Sequence, residues 1–168
     1  MSFDIFFQTF VEAGPPVEQK NPFTGKTESV PSFQPLSAAE LKAVREILRR
    51  AKAHREKEGN YLVEFADGGR VEIYADDLAT GFMAALRRVL TPELTQFLFD
   101  LLQAGNWVLL ATADNPTLAT SPDRLADLPP ELSPGKVCHS AEELATFLTR
   151  GFTSSWEKYR DQARRNGS

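Results

Sequence analysis

The sequence predicts one α+β domain over residues 1–168: a mainly antiparallel sheet of about five to six strands, with three to four helices packed largely on one face. Three observations predict it. Segments with strand and helix patterns do not alternate strictly along the chain, an Asp67-Gly68 pair separates two β-rich runs, and Thr91–Ala113 combines an apolar helix pattern with an apolar strand pattern. A length of 168 residues suits a single domain with a real core.

Thr91–Ala113 is the most apolar long segment of the chain. Thr91 suits a helix N-cap, and Pro92 suits the first turn, where its missing N–H costs nothing. Gly105 is placed to end the helix, and Trp107–Leu110 is a continuous apolar run typical of a strand covered on both faces. One helix face is predicted from the apolar spacing of Leu94, Phe97, Leu98, Leu101 and Leu102.

The chain begins with a predicted strand over Phe3–Val11, in which Phe3, Ile5 and Phe7 share a face. An irregular, Pro-rich loop is predicted for residues 12–36. Its clearest feature is the turn chemistry of Asn21–Gly25. Phe23 in that turn is a candidate binding residue, and the alternative is that its ring packs into the core.

Ser37 and Glu40 form a capping-box pattern that opens a helix, which is predicted to end near Gly59. Residues 42–57 of this helix are rich in Lys and Arg. This basic stretch could bind an anionic partner. A solvated helix face has the same pattern, with Glu46–Arg50 able to pair along the helix.

A β-hairpin follows, with strands at Tyr61–Phe65 and Arg70–Ala75 and a turn at Asp67-Gly68-Gly69. Gly81–Leu86 is compatible with a helix or with a third antiparallel strand, and its short spacing from Ala75 favours the strand.

The last third predicts shorter elements. They are a strand at Thr117–Ser121, a helical turn from Ser121 to about Leu128, a loop at Pro129–Gly135, a strand at Lys136–His139, a helix opened by a Ser140–Glu143 capping box, and an amphipathic helix at Phe152–Arg165.

Charge is unevenly distributed around a net value of −4. Gly59–Gly135 carries four Lys/Arg against eleven Asp/Glu. An acidic total argues against general nucleic-acid binding and favours a protein partner. The chain lacks the roughly 18 consecutive apolar residues of a membrane span and a basic, signal-like start, so we expect a cytoplasmic protein with no membrane partner.

Motifs for known chemistry are missing from the sequence. There is no phosphate-binding glycine loop and no G-x-S-x-G pattern. Cys138 is the single cysteine, and its neighbour His139 would point to the opposite face of a strand. We therefore predict no catalytic residue, no metal site and no cofactor.

Six residues are candidates for binding. Asp76 and Asp77 end the predicted hairpin, and Arg87 and Arg88 follow ten residues later. Paired carboxylates can perform acid–base chemistry or hold a divalent ion, and Asp at a strand end is also ordinary turn chemistry. Phe23 is the fifth candidate, and Trp156 is the sixth because an exposed Trp can anchor a protein partner.

Three segments together resemble a group of small uncharacterised bacterial proteins: MSFDIFFQTF, DGGRVEIYADDL and LTPELTQFLFDLLQAGNWVLL. The resemblance spans most of the chain and implies no activity. Some proteins of this general build act as immunity partners of bacterial toxins, which is an analogy of type.

The leading hypothesis is a non-enzymatic, cytoplasmic protein that binds a macromolecule, including a toxin that it would neutralise. The acidic middle, Gly59–Gly135, would be the contact surface. One alternative is an enzyme with an acidic site built from Asp76, Asp77, Arg87 and Arg88. The other is a nucleic-acid binder that uses the basic helix at 42–57.

Overall fold

The fold is α+β, with helices packed on a large mixed sheet, in a computed structural model that describes residues 3–21, 24–56, 59–87, 89–111 and 115–150. The eight-stranded sheet has the order β10-β9-β8-β1-β7-β6-β5-β4, and β2 and β3 form a separate two-stranded sheet. The ten strands are β1 Phe3–Gln8, β2 Val17–Lys20, β3 Thr27–Val30, β4 His54–Arg55, β5 Tyr61–Glu64, β6 Arg70–Tyr74, β7 Gly81–Leu86, β8 Val108–Leu110, β9 Leu118–Ala119 and β10 Lys136–Val137.

The sheet is larger than the five to six strands that the sequence predicted. The additional strand is β4, which pairs with β5 at the edge of the sheet. Strands β9 and β10 were predicted at Thr117–Ser121 and Lys136–His139, but each is only two residues long. Pairing is antiparallel throughout the large sheet except between β9 and β10, which run parallel. A two-residue strand such as β4 carries too little periodicity to be recognised, and its contact with β5 decides that it pairs.

Helices cover the sheet unevenly. The α-helices are α1 Ala38–Arg50, α2 Pro92–Ala104, α3 Pro122–Ala126 and α4, which covers 141–150. A 3-10 turn lies at Pro130–Leu132. Residues of α1, α2 and α4 belong to the main core. Leu125 of α3 packs on a smaller cluster formed by Phe10, Val108 and Ala119.

The central strands β1 and β7 pair over their full length, from Phe3 opposite Leu86 to Gln8 opposite Gly81. Phe3, Ile5 and Phe7 are buried, as the alternation predicted, while Phe6 faces outward and is 43% exposed. Gly81–Leu86 is therefore a strand, and the favoured interpretation is confirmed.

The capping box of α1 is confirmed. Ser37 Oγ accepts from the Glu40 N–H at 3.2 Å, and the Glu40 carboxylate accepts from the Ser37 N–H at 2.9 Å. The predicted end near Gly59 is wrong, because α1 stops at Arg50. Lys52 takes a φ of +53°, and His54–Arg55 then pairs with β5 as an edge strand.

The predicted hairpin of β5 and β6 is confirmed, and its turn lies against the start of α2. Gly68 has a φ of +89°, which suits a glycine in a tight hairpin turn. A Cβ on Gly69 would lie 2.3 Å from Thr91 Oγ1, so only a glycine lets the turn approach the helix this closely.

The predicted unit of helix, glycine and core strand is also confirmed. Thr91 caps α2 by accepting from the Leu94 N–H at 3.4 Å. Gly105 is the C-cap with a helical φ of −84°, and Asn106 takes the positive φ of 48° that the chain reversal needs. Gly105 must be small because a Cβ there would lie 2.4 Å from the Trp107 ring. Trp107 itself is fully buried, beside Phe7 and Phe82.

The segment at 12–36 is not irregular, contrary to the prediction. It contains the antiparallel pair β2–β3, with Val17 opposite Val30 and Lys20 opposite Thr27. At the tip of this hairpin, the Asn21 carbonyl accepts from the Gly25 N–H at 2.8 Å. All four residues of β2 are exposed, so this hairpin shows no burial pattern by which its strands could be predicted.

Candidate functional site

Asp76 and Asp77 lie in the exposed connection between β6 and β7. Asp77 shapes this turn: its Oδ1 accepts from the Ala79 N–H at 2.9 Å, and its carbonyl accepts from the Thr80 hydroxyl at 3.0 Å. Both residues are exposed, so their side chains are available to a partner from solution.

Arg87 does not meet the two aspartates. Strand β6 runs antiparallel to β7, so that Tyr74 faces Met83 and Val71 faces Leu86. Asp76 and Asp77 follow the end of β6, whereas Arg87 follows the end of β7. Because the strands are antiparallel, these two positions lie at opposite ends of the strand pair. The register therefore separates Arg87 from Asp76 and Asp77.

Arg87 belongs instead to a polar network on the sheet face opposite the main core. Its Nη2 donates to the Glu72 carboxylate at 2.7 Å and to the Tyr74 hydroxyl at 3.1 Å. The Tyr74 hydroxyl in turn donates to Glu72 at 2.5 Å. Arg70 Nη2 lies 3.5 Å from the same carboxylate, and its Nη1 lies 3.7 Å from Glu64.

The contacts within this network shift the pKa values of Glu72 and Tyr74 in opposite directions. Hydrogen bonds from Arg87 and Tyr74 lower the pKa of Glu72. The hydrogen bond to Glu72, together with burial, raises the pKa of Tyr74. Glu72 is therefore an ionised anchor that compensates two arginines, and the network holds no free base for proton transfer near neutral pH. No pattern in the sequence indicated that Arg87 would pair with Glu72.

Asp67, another aspartate of the acidic middle, has a structural role. Its carboxylate accepts from the Glu93 N–H at 2.9 Å and from the Gly69 N–H at 3.1 Å. Burial acts to raise the pKa of Asp67, but the backbone donors outweigh it and the pKa is lowered. The side chain thus ties the hairpin turn to the positive end of the α2 dipole.

One end of the large sheet collects exposed carboxylates. Here β6 ends, β7 begins opposite the end of β1, β8 begins, and β9 ends and leads into α3. We call this surface the acidic end and define it by its exposed carboxylates, Asp76, Asp77, Asp123 and Asp127. Four strand spacings of about 4.8 Å separate β6 from β9, so the ends of these two strands lie about 19 Å apart across the sheet. The aspartates that follow β6 and those that follow β9 are therefore two separate pairs.

Cations in the acidic middle are engaged elsewhere. Arg70 and Arg87 contact Glu72, and Arg124 Nη2 lies 3.7 Å from Glu40. Each of the three described cations of this region therefore already has a carboxylate partner. The charge left uncompensated at the acidic end is negative.

The basic helix is partly neutralised by its own glutamate. Glu46 Oε1 lies 2.7 Å from Arg49 Nη2 and 3.0 Å from Arg50 Nε, which confirms the predicted Glu46–Arg50 pair. Hydrogen bonds from both arginines lower the pKa of Glu46 to about 2. Lys42 and Arg45 remain exposed, and Arg55 lies outside the helix, on the edge strand β4. The early end of α1 breaks up the long basic face on which a nucleic-acid contact would rest.

Cys138 is buried and its thiol lies 3.4 Å from the Ser140 carbonyl. Burial raises the pKa of this thiol to about 11, which leaves it protonated near neutral pH. His139 is exposed, and its N–H donates to Glu143 at 2.7 Å. The hydrogen bond from His139 to Glu143 belongs to the start of α4.

Three of the six candidate residues, Phe23, Arg88 and Trp156, lie outside the described residues. The predicted helix at Phe152–Arg165 lies outside them as well. Within the described ranges, no three His, Cys, Asp or Glu side chains come together as a metal site, and no helix is long and apolar enough to cross a membrane. No family model, curated protein or solved structure matches the chain.

Proposed function

We propose that this chain is a non-enzymatic, cytoplasmic binding protein whose acidic end contacts a basic surface on another protein. The observation that carries the proposal is the uncompensated negative charge there: four exposed aspartates, with the described arginines of the region bound to other carboxylates. Complementary charge accelerates the encounter of two proteins and suppresses partners of the wrong sign.

Immunity-like action is one specific form of this proposal. The partner would then be a toxin with a basic surface, which the acidic end would cover. Two separate pairs of carboxylates, which follow strand ends about 19 Å apart, fit a footprint on a protein better than a site for a small ligand.

Charge reversal at the turn tests the proposal. The partner is captured from the native lysate with the tagged chain, and its association with purified variants is followed by biolayer interferometry. Asp76→Lys with Asp77→Lys should slow association about tenfold or more at low salt, because electrostatic steering is lost. The difference between this variant and the original chain should shrink as salt is raised.

The matched control makes the same change in net charge at the opposite end of the sheet. Glu64 and Glu131 are exposed, Glu64 at the end of β5 opposite Arg70 and Glu131 near Leu110 at the end of β8. Glu64→Lys with Glu131→Lys should leave association within about twofold of the original rate if local rather than total charge steers the partner. Equal rates for the two double variants would contradict the proposal, whether both slow association or neither does.

A further inference from the structure

The outward side of α2 forms a ridge between two open grooves. Gln96 is exposed and lines both of them. On one side, a groove of about 390 Å³ lies between α2 and α1 and has an apolar floor that includes Ile47, Phe65 and Phe97. On the other side, a groove of about 350 Å³ lies between α2 and α4 and is lined by Leu90 and Ala145 among others.

The rims of these grooves are acidic. Glu93 and Asp100 border the first groove, and Glu142 borders the second. Of the described residues that line the grooves, Arg50 is the one cation, and it lies 3.0 Å from Glu46. Asp100 accepts a hydrogen bond from Gln96 at 2.7 Å, which leaves its charge in place. The ion pairs within the described part of the chain involve none of the three rim carboxylates.

Parallel apolar grooves beside a helix ridge have the shape that another helix fills, because helices pack by setting the side-chain ridges of one into the grooves of the other. An amphipathic helix recognised in this way presents apolar residues every three or four positions. The acidic rims select the charge of its flanks. Lysine or arginine side chains there would meet Glu93, Asp100 and Glu142.

We propose that the α2 ridge, Glu93, Gln96 and Asp100 with its two grooves, binds a basic amphipathic α-helix of a protein partner. This adds a second contact surface to the proposed function, and it does not depend on Asp76 or Asp77. The 13 residues of α2 span about 20 Å at 1.5 Å per residue. A helical segment of similar length in the partner is enough to cover the ridge.

A synthetic peptide tests the surface without the native partner. The probe is a fluorescein-labelled 18-residue peptide with Leu at i, i+3, i+4 and i+7 spacing and Lys at the other positions, titrated with the full chain at low salt by fluorescence anisotropy. A scrambled peptide of the same composition has no apolar face, and it should bind at least about tenfold more weakly if the grooves take up the leucines. The Asp76→Lys/Asp77→Lys variant should bind the amphipathic peptide within about twofold of the original chain, which separates this surface from the acidic end.

Variants on the ridge locate the binding. Gln96→Lys places a cation between the grooves, and Ala145→Arg fills one of them, so each should weaken the amphipathic peptide about fivefold or more. Gln19→Lys is the matched control, because Gln19 is an exposed glutamine of the β2–β3 hairpin that lines neither groove. It should change binding less than about twofold. Circular dichroism checks that each variant is folded, and Gln96→Lys alone decides the test if Ala145→Arg unfolds.

Three results would overturn the inference. They are equal binding of the scrambled peptide, equal weakening by Gln19→Lys and Gln96→Lys, and no saturation up to 1 mM chain. Sedimentation analysis adds a fourth: a dimer that Gln96→Lys dissociates would show that the grooves hold a second copy of the chain instead.

Discussion

Two glycines with nearly the same φ give a controlled test of how β7 is built into the sheet. Gly81 has a φ of +133° and Gly14 a φ of +134°. A Cβ on Gly81 would lie 2.4 Å from the Phe7 carbonyl oxygen, whereas a Cβ on Gly14 would meet nothing within 4 Å. Gly81→Ala and Gly14→Ala therefore place alanine at the same unfavourable φ, and only Gly81→Ala adds a collision.

The difference between the two variants can be estimated. Forcing alanine into this φ region costs about 1–3 kcal/mol at either site. The added methyl at Gly81 meets the backbone of β1, which is held on its other side by β8 and cannot turn away as a side chain could. Overpacking of this kind costs about 1–3 kcal/mol more. Domains of this kind are stable by about 5–15 kcal/mol, so Gly81→Ala should remove a large share of the stability.

Urea unfolding followed by circular dichroism measures the effect. Gly81→Ala should be less stable than Gly14→Ala by about 1–3 kcal/mol, and its melting temperature should fall by about 2–4 °C more for each of these kcal/mol. Free energies of unfolding that agree within about 0.5 kcal/mol would refute the close approach of Gly81 to β1.

Three further predictions concern single groups. The pKa of Glu46 is about 2 in the folded chain and 4.5 ordinarily, so its contribution to stability is present above pH 4.5 and lost as pH falls towards 2; carbon-detected NMR titration should show this midpoint, and replacing Arg49 and Arg50 with Ala should return it towards 4.5. The Cys138 thiol, with its pKa raised to about 11, should react with a thiol reagent at pH 8 only when the chain is unfolded in urea, and rapid labelling of the native chain would contradict its burial. Ser37→Ala removes the N-cap of α1 and should destabilise the chain by about 0.5–2 kcal/mol in thermal unfolding, whereas Ser37→Asp, which keeps a capping oxygen, should stay near the original stability.

Local chemistry predicted the elements whose ends carry a signal. Thr91 and Pro92 start α2, Ser37 starts α1, and Asp67-Gly68 turns the β5–β6 hairpin. In each case a side chain or a glycine satisfies a requirement of the adjacent backbone, and that requirement is visible in the sequence. Continuous apolar residues after Gly105 likewise predicted the core strand β8.

The extent and the pairing of elements that depend on distant partners were not predicted. Helix propensity continues past Arg50, but pairing of His54–Arg55 with β5 ends α1 there. The parallel contact of β10 with β9 joins two-residue strands that are 17 residues apart, from Ala119 to Lys136. These choices are made by tertiary hydrogen bonding, which leaves no periodic pattern in so few residues.

The candidate site was predicted in part for the same reason. Spacing along the chain suggested one cluster of Asp76, Asp77 and Arg87. The antiparallel register of β6 and β7 instead places Arg87 at the opposite end of the strand pair, where it contacts Glu72. The excess of acid in the middle of the chain was visible in composition. The position of these carboxylates at one end of the sheet could not be predicted, because it depends on where β9 ends and α3 begins.

Quantitative mass spectrometry of pull-downs tests the central claim, that the acidic end binds a basic protein partner, most directly. The tagged chain, Asp76→Lys/Asp77→Lys and Glu64→Lys/Glu131→Lys are used as parallel baits in the native lysate. The account predicts one stoichiometric basic partner that the original chain and the Glu64/Glu131 variant retain at low salt and the Asp76/Asp77 variant loses. A blank for all three baits at low salt, or equal recovery by all three, would contradict it.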